Sequence, residues 1–209
     1  MYEFLTLAIS EIKPKTDNIG VAVMDMQTKK FHIFFLDKKD IISQTGEIFW
    51  DIGFITTMKN VTAYNGRLVP SGFVCIKDAR RNLKTILEAK SLNPERFFSN
   101  DKETFAIVRV SAVKNITVKK NDDDIIQSRM EININGLPLS VEVNRWFLNK
   151  DLRWIKYWSH IYDTDKLQDK RSHYIKLLNK KNKTLYLLLY RHTFVGGSKN
   201  HWIAGMHWL

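Results

Sequence analysis

The sequence predicts an α+β fold: antiparallel β-hairpins, arranged as a partly open barrel or a ferredoxin-like split sheet, with two or three helices. Three observations predict it. Short β-rich runs are joined by turn-forming residues, and two stretches repeat apolar residues at helical spacing. Strands and helices also lack the regular alternation that a parallel sheet needs. The 209 residues, 44% hydrophobic and 12% aromatic, suit one large domain or two small ones and suffice to fill a core.

In chain order, Gly20–Met26 (GVAVMDM) and Lys30–Leu36 (KFHIFFL) read as strands joined by the polar turn Gln27-Thr28-Lys29. Asn65-Gly66 signals a type I′ turn, which needs positive φ at both central positions. It links a strand near Met58–Tyr64 to one near Arg67–Val69, and Gly72–Lys77 follows. Asp78 is placed to cap a helix over 78–90, where Leu83, Ile86, Leu87 and Lys90 recur at helical spacing. Asn93-Pro94 stops that helix and starts another turn. In MEININGLPLSVEV, a hairpin around Asn135-Gly136 puts Ile132, Ile134, Leu137 and Leu139 on one face and Glu131 and Asn133 on the other.

A second helix spans Asn149–Tyr162, with Leu152, Ile155, Trp158 and Ile161 as its apolar stripe. KLLNKKNK, near 176–183, is too short and too polar to assign. Thr184–Phe194 reads as a strand that Gly196-Gly197 turns back into a closing strand, HWIAGMHWL. A boundary near Ser99–Glu103 divides a β-rich subdomain, 1–100, from a basic α+β subdomain, 101–209, packed closely on the first. No internal repeat or low-complexity linker is visible.

Charge carries the functional signal. The formal net charge is +11, a balance that favours polyanions, nucleic acid first. The excess is uneven: residues 151–209 hold eleven Lys and Arg against four Asp and Glu, whereas residues 1–50 hold six against seven. Five of the six histidines and five of the six tryptophans also fall from Trp146 onward. Cys75 is the single cysteine, so neither a disulfide framework nor a cysteine zinc site is available. The N-terminal run, with Glu3 and no basic flank, is not a secretory signal, and no apolar run is long enough to span a bilayer. The expected address is cytoplasmic, with no membrane partner.

Three clusters are candidate nucleic-acid contacts. Arg80, Arg81 and Lys84 sit at the start of the first helix, where free amides attract anions and the dipole disfavours cations. On the second, Arg153, Lys156, Tyr157 and His160 lie at i, i+3, i+4 and i+7, hence on one face. In the closing strand, period two puts Trp202, Ala204, Met206 and Trp208 on a core face. His201 and His207 then share a wet face near Arg191 and Lys199. At about 3.3 Å per residue those two histidines stand roughly 20 Å apart, too far to share a metal ion. A tight turn at Gly196-Gly197 would bring His192 opposite His201, and a longer one would part them. Asp122-Asp123-Asp124 reads as a polar loop rather than a metal site, and FVGGSK lacks the spacing of a phosphate-binding loop.

The expectation is therefore a nucleic-acid-binding protein, for RNA or DNA, acting as a subunit or accessory of a nucleoprotein complex. No metal or cofactor is implied, and other protein subunits are further candidate partners. One alternative is a metal-independent endoribonuclease using His192, His201 and Lys199 in acid/base and charge-stabilising roles. The other is an interaction module for an acidic protein.

Overall fold

The alternating apolar residues of the N-terminal half build one barrel, and the rest of the chain builds a second. In the computed structural model of the chain, residues 1–11, 17–41, 48–64, 67–92, 94–99, 103–134, 146–193 and 199–209 are described. They divide into two units, Met1–Ile86 and Leu87–Leu209. The Asn65-Gly66, Asn135-Gly136 and Gly196-Gly197 turns lie outside the described residues. Among the described residues no helix is long and apolar enough to cross a membrane.

The first unit contains β1 (Tyr2–Glu11), β2 (Asn18–Asp25), β3 (Phe31–Asp37), β4 (Phe54–Tyr64) and β5 (Arg67–Asp78). They close into a barrel in the order β1-β2-β3-β5-β4. All neighbours are antiparallel except β3 and β5, which meet in parallel at Phe34 and Leu68. Phe4, Ile19, Val21, Val23, Phe34 and Trp50 fill the interior. The β2–β3 turn is set by Asp25, whose carboxylate accepts from the backbone amides of Gln27 (2.7 Å) and Thr28 (2.9 Å). Lys29 completes it with φ of 58°.

A helix α1 (Leu83–Lys90) spans the boundary between the units, and α2 (Pro94–Ser99) follows. Then come β6 (Phe105–Lys120), β7 (Ile126–Ile134), β8 (Trp146–Asn149), α3 (Leu152–Ile161), α4 (Leu167–Leu178), β9 (Leu185–Thr193) and β10 (Lys199–Trp208). These strands also close, in the order β10-β8-β7-β6-β9. Here too a single contact is parallel, β8 with β10, where Leu148 faces Trp202 and Asn149 faces Ile203. Val108, Ile116, Met130, Phe147, Leu187 and Ile203 form the core, which Trp158 of α3 and Phe97 of α2 also enter. Counted within its own unit, each barrel runs first-second-third-fifth-fourth, with third and fifth parallel. That is the strand order of the OB-fold, a five-stranded Greek-key barrel.

The architecture is thus α+β and mostly β, but the sheets are closed barrels rather than hairpins in a split, ferredoxin-like sheet. The reason is non-local: closure rests on the two parallel contacts, which no turn signal announces. Four α-helices are present among the described residues, one more than the upper expectation. The helix passed over is α4. Its inward residues Leu167, Tyr174, Ile175 and Leu178 skip the i+4 position, which Arg171 holds by donating from Nε to the Ile116 carbonyl (2.6 Å). Asn179 then fastens its end to β6, accepting from Val113 N and donating to Val113 O, both at 2.8 Å.

Two local expectations are refined. The Asp78 carboxylate accepts from Arg80 N at 2.9 Å, but it ends β5 and the helix it precedes opens as a 3-10 turn, Arg80–Asn82, with α1 starting only at Leu83. Met130, Ile132 and Ile134 do face inward and β7 pairs antiparallel with β6 and β8, while the expected partner residues Leu137 and Leu139 lie outside the described residues. Deleting Gly205–Leu209 removes Met206 and Trp208 from the second core, on the order of 3–5 kcal/mol of apolar contact. Native stability is only about 5–15 kcal/mol. We expect this truncation to lose cooperative thermal unfolding and to aggregate through the bared β9 edge, as calorimetry and light scattering would show.

Candidate nucleic-acid interface

The predicted cations occupy three different settings. Arg80 forms a fork on Asp78, with Nη2 at 2.6 Å from Oδ2 and Nε at 3.1 Å from both oxygens. Its guanidinium lies 4.8 Å from the centroid of the Phe54 ring. The hydrogen bond from Arg80 draws the Asp78 carboxyl down to about 2. Arg81 and Lys84 are exposed beside it.

On α3, Asp151 is the N-cap and accepts from Arg153 N at 2.9 Å. The Arg153 side chain returns to that carboxylate (Nε 3.2 Å, Nη2 2.8 Å) and also donates to the Met206 carbonyl at 2.9 Å. Lys156 and His160 are exposed. Tyr157 instead turns into a ring cluster, 4.9 Å from Tyr174 and 5.2 Å from Trp158 between centroids. Burial first, and the hydrogen bond with Tyr174 second, push its phenol up to about 12.

At the closing strand the register decides the outcome. His201 pairs with Arg191 and Asn200 with His192, so the two histidines are out of step by one position. Lys199 pairs with Thr193. Arg191 is buried, with only 4% exposure. It donates from Nη2 to the Phe97 carbonyl and from Nε to His201 Nε2 at 3.2 Å. Its guanidinium sits over the Phe97 ring. The His201 nitrogen that a general base would use is therefore already an acceptor, and its ring is wedged against Phe97 and Phe98. A bulge between Ile203 and Gly205 also shifts the period. Ile203, Met206 and Trp208 face the core, while Trp202 lies outside against Tyr190.

A further surface brings basic and aromatic groups together. Because Val118, Ser128, Met130 and Phe147 point inward, period two turns Lys119, Gln127, Arg129 and Trp146 outward. Cross-strand pairing sets Thr117 opposite Arg129, Lys119 opposite Gln127 and Trp146 opposite Glu131. Thr117, Lys119, Lys120, Gln127, Arg129 and Trp146 line an open groove of about 470 Å³. The β6–β7 turn that shapes it is tied by Asn121, whose side-chain oxygen accepts from Asp123 N (3.1 Å) and Ile125 N (2.8 Å). Asp122–Asp124 are thus the tip of a hairpin and bound the cationic strip at that end. Among the described residues no cluster of three or more His, Cys, Asp or Glu is placed to hold a metal ion.

No family model matches the chain, and no curated protein is similar to it.

The aromatic surface continues around the barrel. Trp202 lies beside Leu148 in register, with Lys150 Nζ 5.5 Å from its ring centroid. Tyr190 follows 6.1 Å away, backed by the buried Phe105 5.1 Å from it. Sequence reasoning passes over Lys119, Gln127, Arg129 and Trp146 because it places the hairpin turn at Asn135-Gly136. The Asn121–Asp124 turn, with polar residues alternating on both sides of it, was the available signal.

Two outcomes follow from α3. Asp151→Ala removes the cap and strands the Met206 amide, which donates to Asp151 Oδ2 at 3.0 Å. We expect a loss of about 2–4 kcal/mol in denaturant unfolding. Tyr157 has a folded pKa above its ordinary value, so the folded state favours the neutral phenol. That contribution is present below about pH 10, the ordinary tyrosine value. It fades as pH rises through about 12. Burial raises Tyr186 and Tyr190 as well, so tyrosinate absorbance should show a late-titrating component that Tyr157→Phe reduces without abolishing.

Proposed function

We propose that the chain binds single-stranded nucleic acid along the outer face of β6, β7 and β8, as a subunit or accessory of a nucleoprotein complex. The observation that carries this reading is the groove that Lys119, Arg129 and Trp146 line together. Cations neutralise phosphates, and a half-buried indole that lines an open groove offers a π-face that an unpaired base can stack on. Stacking requires splayed bases, which favours single strands over duplexes. The groove also lies on the strand face that OB-fold barrels use for oligonucleotides and oligosaccharides. That last support is an analogy of fold and carries less weight than the chemistry of the groove. The acid/base ribonuclease reading gains no comparable support, because His192 and His201 are out of register and His201 Nε2 accepts from Arg191.

Fluorescence anisotropy with single-stranded and duplex DNA and RNA, at several salt concentrations, tests the proposal. Log affinity for single strands should fall with log salt at a slope of about −0.7 per phosphate neutralised. Lys119→Glu with Arg129→Glu should flatten that slope by about 0.7 for each phosphate that is no longer neutralised. Trp146→Ala should weaken binding by about 1–3 kcal/mol while leaving the slope unchanged. Binding that is absent, or indifferent to salt and to these variants, overturns the proposal. Capture of an acidic protein that survives nuclease treatment, with no oligonucleotide bound, would point to the interaction-module reading instead.

A further inference from the structure

Away from the strand face, α3, α4 and β10 enclose an open cavity of about 380 Å³. This is within the roughly 300–1,000 Å³ common for small-molecule sites. Its walls are aromatic. Trp154 and Tyr174 meet edge to face at 5.2 Å and 83°, and Tyr157 meets Tyr174 at 4.9 Å and 72°. Trp208 of β10 adds a fourth ring. Cations stand at the rim: Lys183 Nζ is 5.4 Å from the Trp208 ring centroid, and Arg153 lines the cavity with its side chain 57% exposed. The hydrogen bonds of Arg153 to Asp151 and Met206 use Nε and Nη2, which leaves Nη1 outside that clamp. Lys156, one turn along α3, is exposed.

We propose that this cavity is a nucleotide pocket, taking a planar base against its aromatic wall and the phosphate at Arg153 and Lys183. Asp151 also lines the cavity, but its carboxylate is already engaged by Arg153; an aliphatic side chain of a protein would fill the same volume and bring nothing to the exposed Lys183 and Lys156. A base carrying phosphate satisfies both walls and rim. The nucleotide is free, or it is the terminal unit of a strand. The pocket shares no lining residue with the β6–β8 groove, and it does not depend on the reading of that face.

Isothermal titration calorimetry of the full chain with nucleoside monophosphates, nucleosides and inorganic phosphate tests the pocket. Monophosphates should bind saturably, nucleosides about tenfold more weakly, and inorganic phosphate weaker still. Lys183→Glu, at an exposed position, should cost about tenfold without changing the thermal melt. Leu177→Trp, which fills the cavity from α4, should abolish binding. If that variant fails to fold, Lys183→Glu with Lys156→Glu carries the test. Oligonucleotides with and without a terminal phosphate, titrated into Lys119→Glu/Arg129→Glu protein, separate the two sources. A phosphate-dependent affinity there assigns the pocket to strand ends, and binding of monophosphates alone assigns it to free nucleotide. The proposal is overturned if neither ligand binds, or if Lys183→Glu and Leu177→Trp proteins that fold bind as well as the parent.

Discussion

The second barrel depends on one short seam, the parallel contact between β8 and β10. β8 has only four residues, and two register pairs join it to β10. An antiparallel neighbour can be delivered by a turn, whereas a parallel one must return from a distance and be held in place. Three consecutive residues do the holding. Asn149 donates to Met206 Sδ at 2.7 Å, Lys150 N donates to Ile203 O at 2.7 Å, and Asp151 accepts from Met206 N. Asn149 also accepts from Asp151 N, and Arg153 closes the set on the Met206 carbonyl. Without this knot β8 and β10 would each present an unpaired edge. Both candidate sites hang from it: Trp146 stands on β8, and Trp208 on β10.

The same seam explains the arrangement of histidines and tryptophans at the end of the chain. An unbroken strand would place Trp202 and Trp208 together and both histidines together. The bulge between Ile203 and Gly205 inserts one residue and reverses the faces beyond it. Ile203 and Trp208 therefore both pack on the core, and Trp202 joins the outer aromatic surface. His201, on the core side of β10 opposite Arg191, becomes an acceptor for a buried guanidinium. A hydrogen bond to a neutral ring disperses little of that charge, so the Phe97 carbonyl and ring beneath it matter as much.

What the sequence made legible was local. The β2–β3 hairpin, α3, β9 and β10 stand close to where spacing puts them, because each is determined by neighbours close in the chain. Closure was not legible, since it rests on pairs such as Phe34 with Leu68 and Leu148 with Trp202. The doubled topology was equally hidden: the two barrels share strand order without sharing side chains, and so no repeat is visible. The site divided along the same line. Arg153 and Tyr157 were found from helical periodicity, yet the Met206 carbonyl that Arg153 binds came from β10 and the ring that covers Tyr157 came from α4. Arg191, a cation to the eye, is a core residue because its register partner is His201.

Two barrels of one topology need not present the same surface. In the first, every residue of β2 from Ile19 to Met24 is buried, so both faces of its second strand are covered. In the second, the equivalent strand β7 alternates: Ser128 and Met130 are buried, while Arg129 is exposed and Glu131 partly so. A ligand that reads the second and third strands of such a barrel can reach them directly only where one face stays wet. Charge leans the same way, though less sharply: residues 1–86 hold twelve Lys and Arg against nine Asp and Glu, and residues 87–209 hold twenty-one against thirteen. The groove suited to a polyanion thus lies on the barrel whose second strand keeps one wet face, in the unit with the larger excess of cations.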